Sequence, residues 1–294
     1  MIKVGLALGG GGVAGCAHIG VLKAFAEAGI NIDVIAGTSS GSIIASLFAY
    51  GYSPAQLAEW APDFTSDYLD VDYYALAKRL LSKRNKVNGL IKGKKLWEFI
   101  ADNTNGDLLK ELKIPAALTA TDLYSGRRVL CLSRPLPDSA AADVDCIHHM
   151  SIADAVLASI SIPVVFQPVS YQGRLLVDGG LVENCPVSAA RLMNADVVIA
   201  VDLTKPVPAE KPFETLYSVL SRSVSITMYH QSRLNRSHAD LTLQPETGNV
   251  GVFEFSKLAD CMEAGYRCAQ SRIDAVKELI ASRQSALLTT NQPV

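Results

Sequence analysis

The chain has 294 residues and a formal net charge of −2 at pH 7, with 49% hydrophobic and 19% charged residues. A charge content below the usual ~25% and a near-neutral balance exclude a disordered chain and a basic nucleic-acid binder, so no nucleic acid is expected as a partner. The length suffices for a large buried core, and no apolar run is long enough to span a bilayer.

The first predicted element is a buried strand over 2–8. It runs into Gly9-Gly10-Gly11-Gly12-Val13-Ala14-Gly15 and a helix over 12–28, whose Ile19, Leu22, Phe25 and Ala26 share one face. Four consecutive glycines before a helix bare backbone N–H groups. With the helix dipole these make a site for an anion, either a phosphate or the oxyanion of an attacked ester. Gly10-x-Gly12-x-x-Gly15 also satisfies the dinucleotide fingerprint. However, Asp33, at nearly the right spacing, starts its strand instead of ending it, and no Gly-Lys-Ser/Thr follows for a P-loop. A strand over 33–37 and a helix over 41–51 then enclose Gly37-Thr38-Ser39-Ser40-Gly41, a G-x-S-x-G pattern in its strand–turn–helix setting. Such a turn presents the Ser39 hydroxyl as a nucleophile, and Gly37 and Gly41 keep strand and helix from crowding. The plainer reading is a Gly/Ser-rich loop.

Ser53-Pro54-Ala55-Gln56 is a capping box that opens the next helix. The segment 63–100 mixes Tyr68, Tyr73 and Tyr74 with a basic run from Lys78 to Lys86. It reads as a solvated helix pair or, more boldly, as a lid facing an anionic lipid surface. Within it, Gly93-Lys94-Lys95-Leu96-Trp97 starts a helix. Residues 116–123 and 127–132 form a strand pair around Ser125-Gly126, and 133–149 a Pro/Asp-rich loop. A strand over 174–177 ends at Asp178-Gly179-Gly180. A carboxylate there stands where active groups of open α/β sheets gather, or is a turn aspartate bonding its own backbone. Residues 195–201 read as a buried strand and 205–212 as a Pro/Lys linker. Helices near 214–234 and 256–282 follow, around a strand at 240–243, and a tail from Ala286 is expected to fray.

The six cysteines, at 16, 131, 146, 185, 261 and 268, make no C-x-x-C and read as free thiols. No histidine pair has H-E-x-x-H spacing and no Cys/His cluster has finger spacing, so no metal or other cofactor is expected. A core strand at the start and no signal-peptide pattern read as cytoplasmic.

In their order, Gly10–Gly15, Gly37–Gly41 and Asp178-Gly179-Gly180 resemble the patatin-like phospholipases, a family of lipid acyl hydrolases. The resemblance extends to His18-Ile19-Gly20-Val21-Leu22, Ala120-Thr121-Asp122-Leu123 and Ala158-Ser159-Ile160-Ser161-Ile162-Pro163. From Ala239-Asp240 to Ala264-Gly265-Tyr266 the chain looks like bacterial single-domain members. The resemblance implies a three-layer α/β/α sandwich with a central, mostly parallel sheet and a nucleophile elbow. The catalytic domain would cover 1–205, a helical extension packed on the same domain 206–285, and a disordered tail 286–294. Ser39 would be the nucleophile, Asp178 the proton acceptor, and the N–H groups of Gly10, Gly11 and Gly12 the oxyanion hole. Gly15, Gly37, Gly41, Gly179 and Gly180 complete the motifs. The implied reaction is hydrolysis of phospholipid or lysophospholipid esters through an acyl-enzyme, with transient contact at the inner face of a membrane. Nothing signals an oligomeric state. Ala14 stands where the family usually carries Arg or Lys. The alternatives are a Ser-His-Asp triad with His18 or His149 as base, and a non-enzymatic lipid-binding protein.

Overall fold

In chain order the strands are β1 (Val4–Leu8), β2 (Val34–Thr38), β3 (Gly89–Ile91), β4 (Ala116–Asp122), β5 (Arg128–Leu132), β6 (Asp145–Ile147), β7 (Val164–Phe166), β8 (Val169–Tyr171), β9 (Arg174–Asp178), β10 (Val197–Val201) and β11 (Leu241–Leu243). The α-helices are α1 (Ala17–Glu27), α2 (Ser40–Tyr50), α3 (Pro54–Trp60), α4 (Lys94–Asn103), α5 (Ile152–Ile160), α6 (Val187–Leu192), α7 (Leu216–Arg236), α8 (Leu258–Gln270) and α9 (Ile273–Thr290). This computed structural model describes residues 2–63, 65, 70, 89–136, 144–205 and 214–290. Tyr68, Tyr73, Tyr74, the run Lys78–Lys86 and most of the linker at 205–212 lie outside the described residues.

Among the described residues nine strands form one sheet, in the order β11-β10-β1-β2-β4-β5-β6, with β9 also on β4 and β8 on β9. The pairs β11–β10–β1–β2–β4 and β5–β6 are parallel, whereas β4–β5, β4–β9 and β8–β9 are antiparallel. β1 sits in the centre because all five of its residues are buried, as a strand covered on both faces must be. Its side chains alternate between two cores. Leu6 and Leu8 pack with α1 and α2, while Ala7 joins Ala36, Leu130, Val187 and Ala190 on the α6 side. The result is the expected three-layer sandwich.

Parallel pairing of β1, β2 and β4 sends the glycine loop, the Ser39 turn and the β4–β5 hairpin out of the same end of the sheet. On one face α1 crosses α8 with their backbones in contact. A Cβ at Gly20 would strike the Met262 carbonyl, and one at Gly265 the Ala17 carbonyl.

The capping box at Ser53 forms as expected, with Gln56 N donating to Ser53 Oγ at 3.3 Å and Ser53 N to Gln56 Oε1 at 2.9 Å. Other elements differ from the sequence expectation. The helix over 12–28 opens as a 3-10 turn, Gly12–Cys16, because Gly12 stands at φ +59°. The loop 133–149 contains β6, a three-residue strand too short to show alternation. The helix over 256–282 is two helices, broken between Gln270 and Ile273. The tail from Ala286 stays helical to Thr290. No helix among the described residues is long and apolar enough to cross a membrane.

Candidate active site

Ser39 joins β2 to α2 at φ 54°, ψ −129°, a conformation that costs a non-glycine residue on the order of 1–3 kcal/mol. Its surroundings over-determine it. Ser39 N–H donates to Ser159 Oγ at 3.0 Å, and the Ser159 hydroxyl donates on to the Thr119 carbonyl at 2.7 Å. The Ser39 carbonyl accepts Ser42 N–H at 2.8 Å and Ser42 Oγ at 2.6 Å. Thr38 Oγ1, one residue earlier, donates to the Glu183 carbonyl at 2.8 Å. A Cβ at Gly37 would press on the Gly41 carbonyl, and one at Gly41 on the Leu8 carbonyl. Both glycines are therefore required by close backbone approach.

Asp178 is the last residue of β9 and is fully buried. The strand is longer by one residue than the sequence suggested, and pairing with Ala120 fixes the position of the carboxylate. Oδ1 accepts Gly180 N–H at 2.7 Å. Burial pushes the pKa up from 3.8 to about 7, against the Ser39 hydroxyl and Gly180 N–H, which hold it down. The Ser39 hydroxyl thus approaches this carboxylate, yet Oδ2 lacks a hydrogen bond of ordinary geometry. Gly179 leaves room for the Thr119 carbonyl, and Gly180 for the tip of Met228.

The glycine loop lies against the elbow: a Cβ on Gly10 would stand 2.9 Å from Ser39 Cβ. Its three N–H groups are not equivalent. Gly10 N–H donates to the Asn184 carbonyl at 3.1 Å, and Gly11 N–H to Ser40 Oγ at 3.0 Å. Gly12 N–H has no acceptor among the described residues. Gly15 is bare because the Ser40 hydroxyl fills the place of its Cβ. Asn184, buried and part of no sequence motif, ties the loop to the aspartate turn. Its carbonyl holds Gly10, and its Oδ1 lies 2.8 Å from a Cβ placed on Gly180. The only signal in the sequence was an amide beside Cys185-Pro186 at the start of α6. Ser159 lies in the stretch Ala158–Pro163, which only the resemblance marks.

His18 is fully buried, and burial lowers its pKa to about 4, so it is neutral at pH 7. Its Nε2–H donates to the Gly9 carbonyl at 2.7 Å, and Nδ1 has no hydrogen-bond partner among the described residues. It braces the glycine loop from behind. His149 is exposed near β6, its carbonyl accepting Tyr171 Oη–H at 2.6 Å. Ala14 packs inward, 6% exposed, within the main core.

Beside Ser39 opens an apolar cavity of ≈ 140 Å³, with Gly12, Ser39 and Ser40 in its wall and Ile19, Ile43, Leu47, Leu57 and Trp60 among its lining. Val252, Phe253, Phe255 and Leu258 close it from the C-terminal part of the chain. Cys16 also lines it, its thiol pushed up to about 12 by burial and by neighbouring Cys261. The combination of a strained serine, a buried carboxylate, backbone donors and an apolar cavity suits nucleophilic acyl transfer from an ester with an aliphatic acyl chain.

The family model of Patatin-like phospholipase matches residues 6–191. An uncharacterized NTE family protein of Mycobacterium tuberculosis is 34% identical over 201 residues, covering 68% of this chain and 49% of that protein. Patatin-like phospholipase domain-containing protein 7 of Rattus norvegicus is 32% identical over 206 residues, 68% of this chain and 13% of that protein. Among solved structures, VipD from Legionella pneumophila superposes with a TM-score of 0.49 at 14% identity, covering 93% of this chain and 67% of that one. The chain spans about half the length, or less, of these curated relatives.

Proposed function

The chain belongs to the patatin-like phospholipase family, and on that premise we propose that it is a lipid acyl hydrolase working through Ser39 and Asp178. The observation that carries the reading is Asp178: a fully buried carboxylate with a pKa of about 7, approached by the hydroxyl of a serine at positive φ. A base is most useful when its pKa lies near the working pH. Accepting a proton also discharges a carboxylate that burial disfavours. Ser39 Oγ would attack the ester carbonyl as its proton passes to Asp178. Asp178 would return that proton to the departing alcohol, leaving an acyl-Ser39. Water, deprotonated by Asp178, would then attack the acyl-enzyme, and Asp178 would hand that proton to Ser39 Oγ as the acyl bond breaks, releasing the fatty acid.

The oxyanion would be received by Gly11 and Gly12. Gly10 N–H is committed to a backbone carbonyl, whereas the Gly11 N–H is held by a side-chain hydroxyl that can turn away. His18 is a poor candidate base. It is neutral, its one N–H points at Gly9, and it bonds to neither Ser39 nor Asp178.

The test is labelling by a fluorophosphonate probe together with turnover of a short acyl ester, for the native chain and Ser39→Ala. The native chain is expected to label and turn over, and the variant to do neither. Native protein that neither labels nor cleaves esters would instead support the lipid-binding alternative.

A further inference from the structure

Large apolar side chains that remain exposed are informative when they gather in one place. Among the described residues they are few, and besides Leu234 and Leu287 they are Leu123, Tyr124, Val164, Val219, Leu220, Ile226 and Val252. Leu123 (46% exposed) and Tyr124 (74%) form the tip that follows β4, which runs parallel to β2. Val252 lines the cavity and packs on Gly12. Val164 starts the strand whose Phe166 lines the same cavity.

The remaining three, Val219, Leu220 and Ile226, belong to α7. This helix is anchored at its C-terminal end. Ser232 Oγ donates to Asp202 Oδ1 at 2.6 Å, and Arg236 pairs with Asp202 Oδ2 at 2.5 Å, just past the end of β10. One turn earlier Met228 lies over Gly180, beside the candidate base. At 1.5 Å per residue the helix then continues ~14 Å to Val219, with Ser232 the only buried side chain among those described in its 21 residues. Its sequence holds Arg222, Arg233 and Arg236 and no acidic residue. Arg236 is spent on Asp202, but Arg233 is exposed and the helix has no acidic residue, so its half-exposed apolar side chains match an interface between lipid tails and anionic headgroups. A second copy of the chain seated here would cover the mouth through which substrate must pass, whereas a lipid surface would supply it.

We propose that this end of the molecule docks on an anionic lipid bilayer, with the N-terminal half of α7 and the Leu123–Tyr124 tip at the interface. The orientation rests on reading the site as a lipid acyl hydrolase, but the docking itself does not require turnover. The test is flotation of the Ser39→Ala protein with phosphatidylcholine vesicles, with and without phosphatidylglycerol. The comparison is with the same protein carrying Leu123→Ser, Tyr124→Ser, Leu220→Ser and Ile226→Ser. Partition onto anionic vesicles should fall by at least ~100-fold, a few-fold from each partly immersed side chain. Omitting phosphatidylglycerol should weaken binding several-fold, and added salt should do the same. In the Ser39 background the four substitutions should leave turnover of a soluble short ester unchanged, which also certifies the fold. The tip pair and the helix pair, made separately, should each give a smaller step in the same direction.

The proposal is overturned if the parent does not bind anionic vesicles, or if the four substitutions leave binding as it was. It is also overturned if sedimentation shows a dimer that those substitutions dissociate. Vesicle binding without ester cleavage would leave the docking surface standing and remove the hydrolase reading. Ester cleavage without vesicle binding would do the reverse.

Discussion

The two turns that meet at the site, Thr38–Ser40 and Asp178–Gly180, are built on opposite terms. At the elbow every backbone polar group of Ser39 is bonded, and the cost is conformational, a positive φ held in place by its neighbours. At the aspartate the backbone is ordinary, φ −49° and ψ 132°, and bonded to Ser161 and Thr121. There the cost is electrostatic, a carboxylate desolvated by burial. The first cost is indifferent to pH and to the side-chain hydroxyl. The second vanishes when the group is protonated or replaced by a neutral amide. Mutation can therefore separate them.

The largest effect should come from Ser39→Ala. Ester turnover is expected to fall by at least ~10⁴-fold, as for nucleophiles of other hydrolases, with the thermal midpoint essentially unmoved because Cβ and the strained backbone remain. Ser39→Gly should be equally inactive yet more stable by about 1 kcal/mol, the conformational cost being lifted. Calorimetry on both variants checks this, and a destabilised glycine variant would mean that the elbow is not strained.

Asp178→Asn should lower kcat/KM by roughly 10³- to 10⁴-fold, and native kcat/KM should rise with pH through about 7 as Asp178 ionises. Stability should move the other way. Below the unfolded value of 3.8 both states carry the proton and nothing is lost. As pH rises from there to about 7 only the unfolded chain ionises, so the native protein loses stability, and the loss is complete above that. At roughly 1.4 kcal/mol per pH unit between those values, the asparagine variant should exceed the native protein by a few kcal/mol at pH 8 and match it near pH 4. Denaturant melts at the two pH values decide it. An asparagine variant no more stable at pH 8 would mean that Asp178 is solvated.

Ala14→Arg probes the loop between the two turns. Because Ala14 is buried in the core, arginine there should cost at least about 2 kcal/mol. A stable variant with tighter binding of anionic esters would place position 14 toward the substrate instead. The smallest effect expected is for Ser40→Ala. Removing the hydroxyl that holds Gly11 N–H should change kcat less than ~10-fold, since only the resting partner of the donor is lost and the donor remains. A fall much larger than that would mean that Ser40 is needed to hold the Gly11 donor in place for the oxyanion.

The same contrast explains what could be read from the sequence. Ser39 announces itself because its constraints are local: the strand, the glycines and the helix start all fall within one short stretch. Asp178 is brought to Ser39 by β4–β9 pairing across more than fifty residues, so the residues alone do not separate an active carboxylate from a turn aspartate, and only the resemblance implies a role. The commitment of Gly10 N–H to Asn184 was invisible, because a run of glycines shows that donors are bare but not which carbonyls reach them. The sequence predicts a helix near 214–234 but does not show the exposed face of α7. With only one described side chain buried, its composition follows its surroundings more than a core.

The crossing of α1 over α8 has a consequence for how the protein is made. β1 finds β10 nearly two hundred residues later, and the glycine loop finds its neighbour Val252 later still. Contacts of such long range close slowly and late. During synthesis the elbow therefore leaves the ribosome before the partners that complete its cavity and fix its loop, and on the proposed function Ser39 should become reactive only once the segment through Leu258 has followed. A nascent chain stalled ahead of Leu258 should leave Ser39 unreactive toward a fluorophosphonate, and release of the remaining segment should switch the reactivity on.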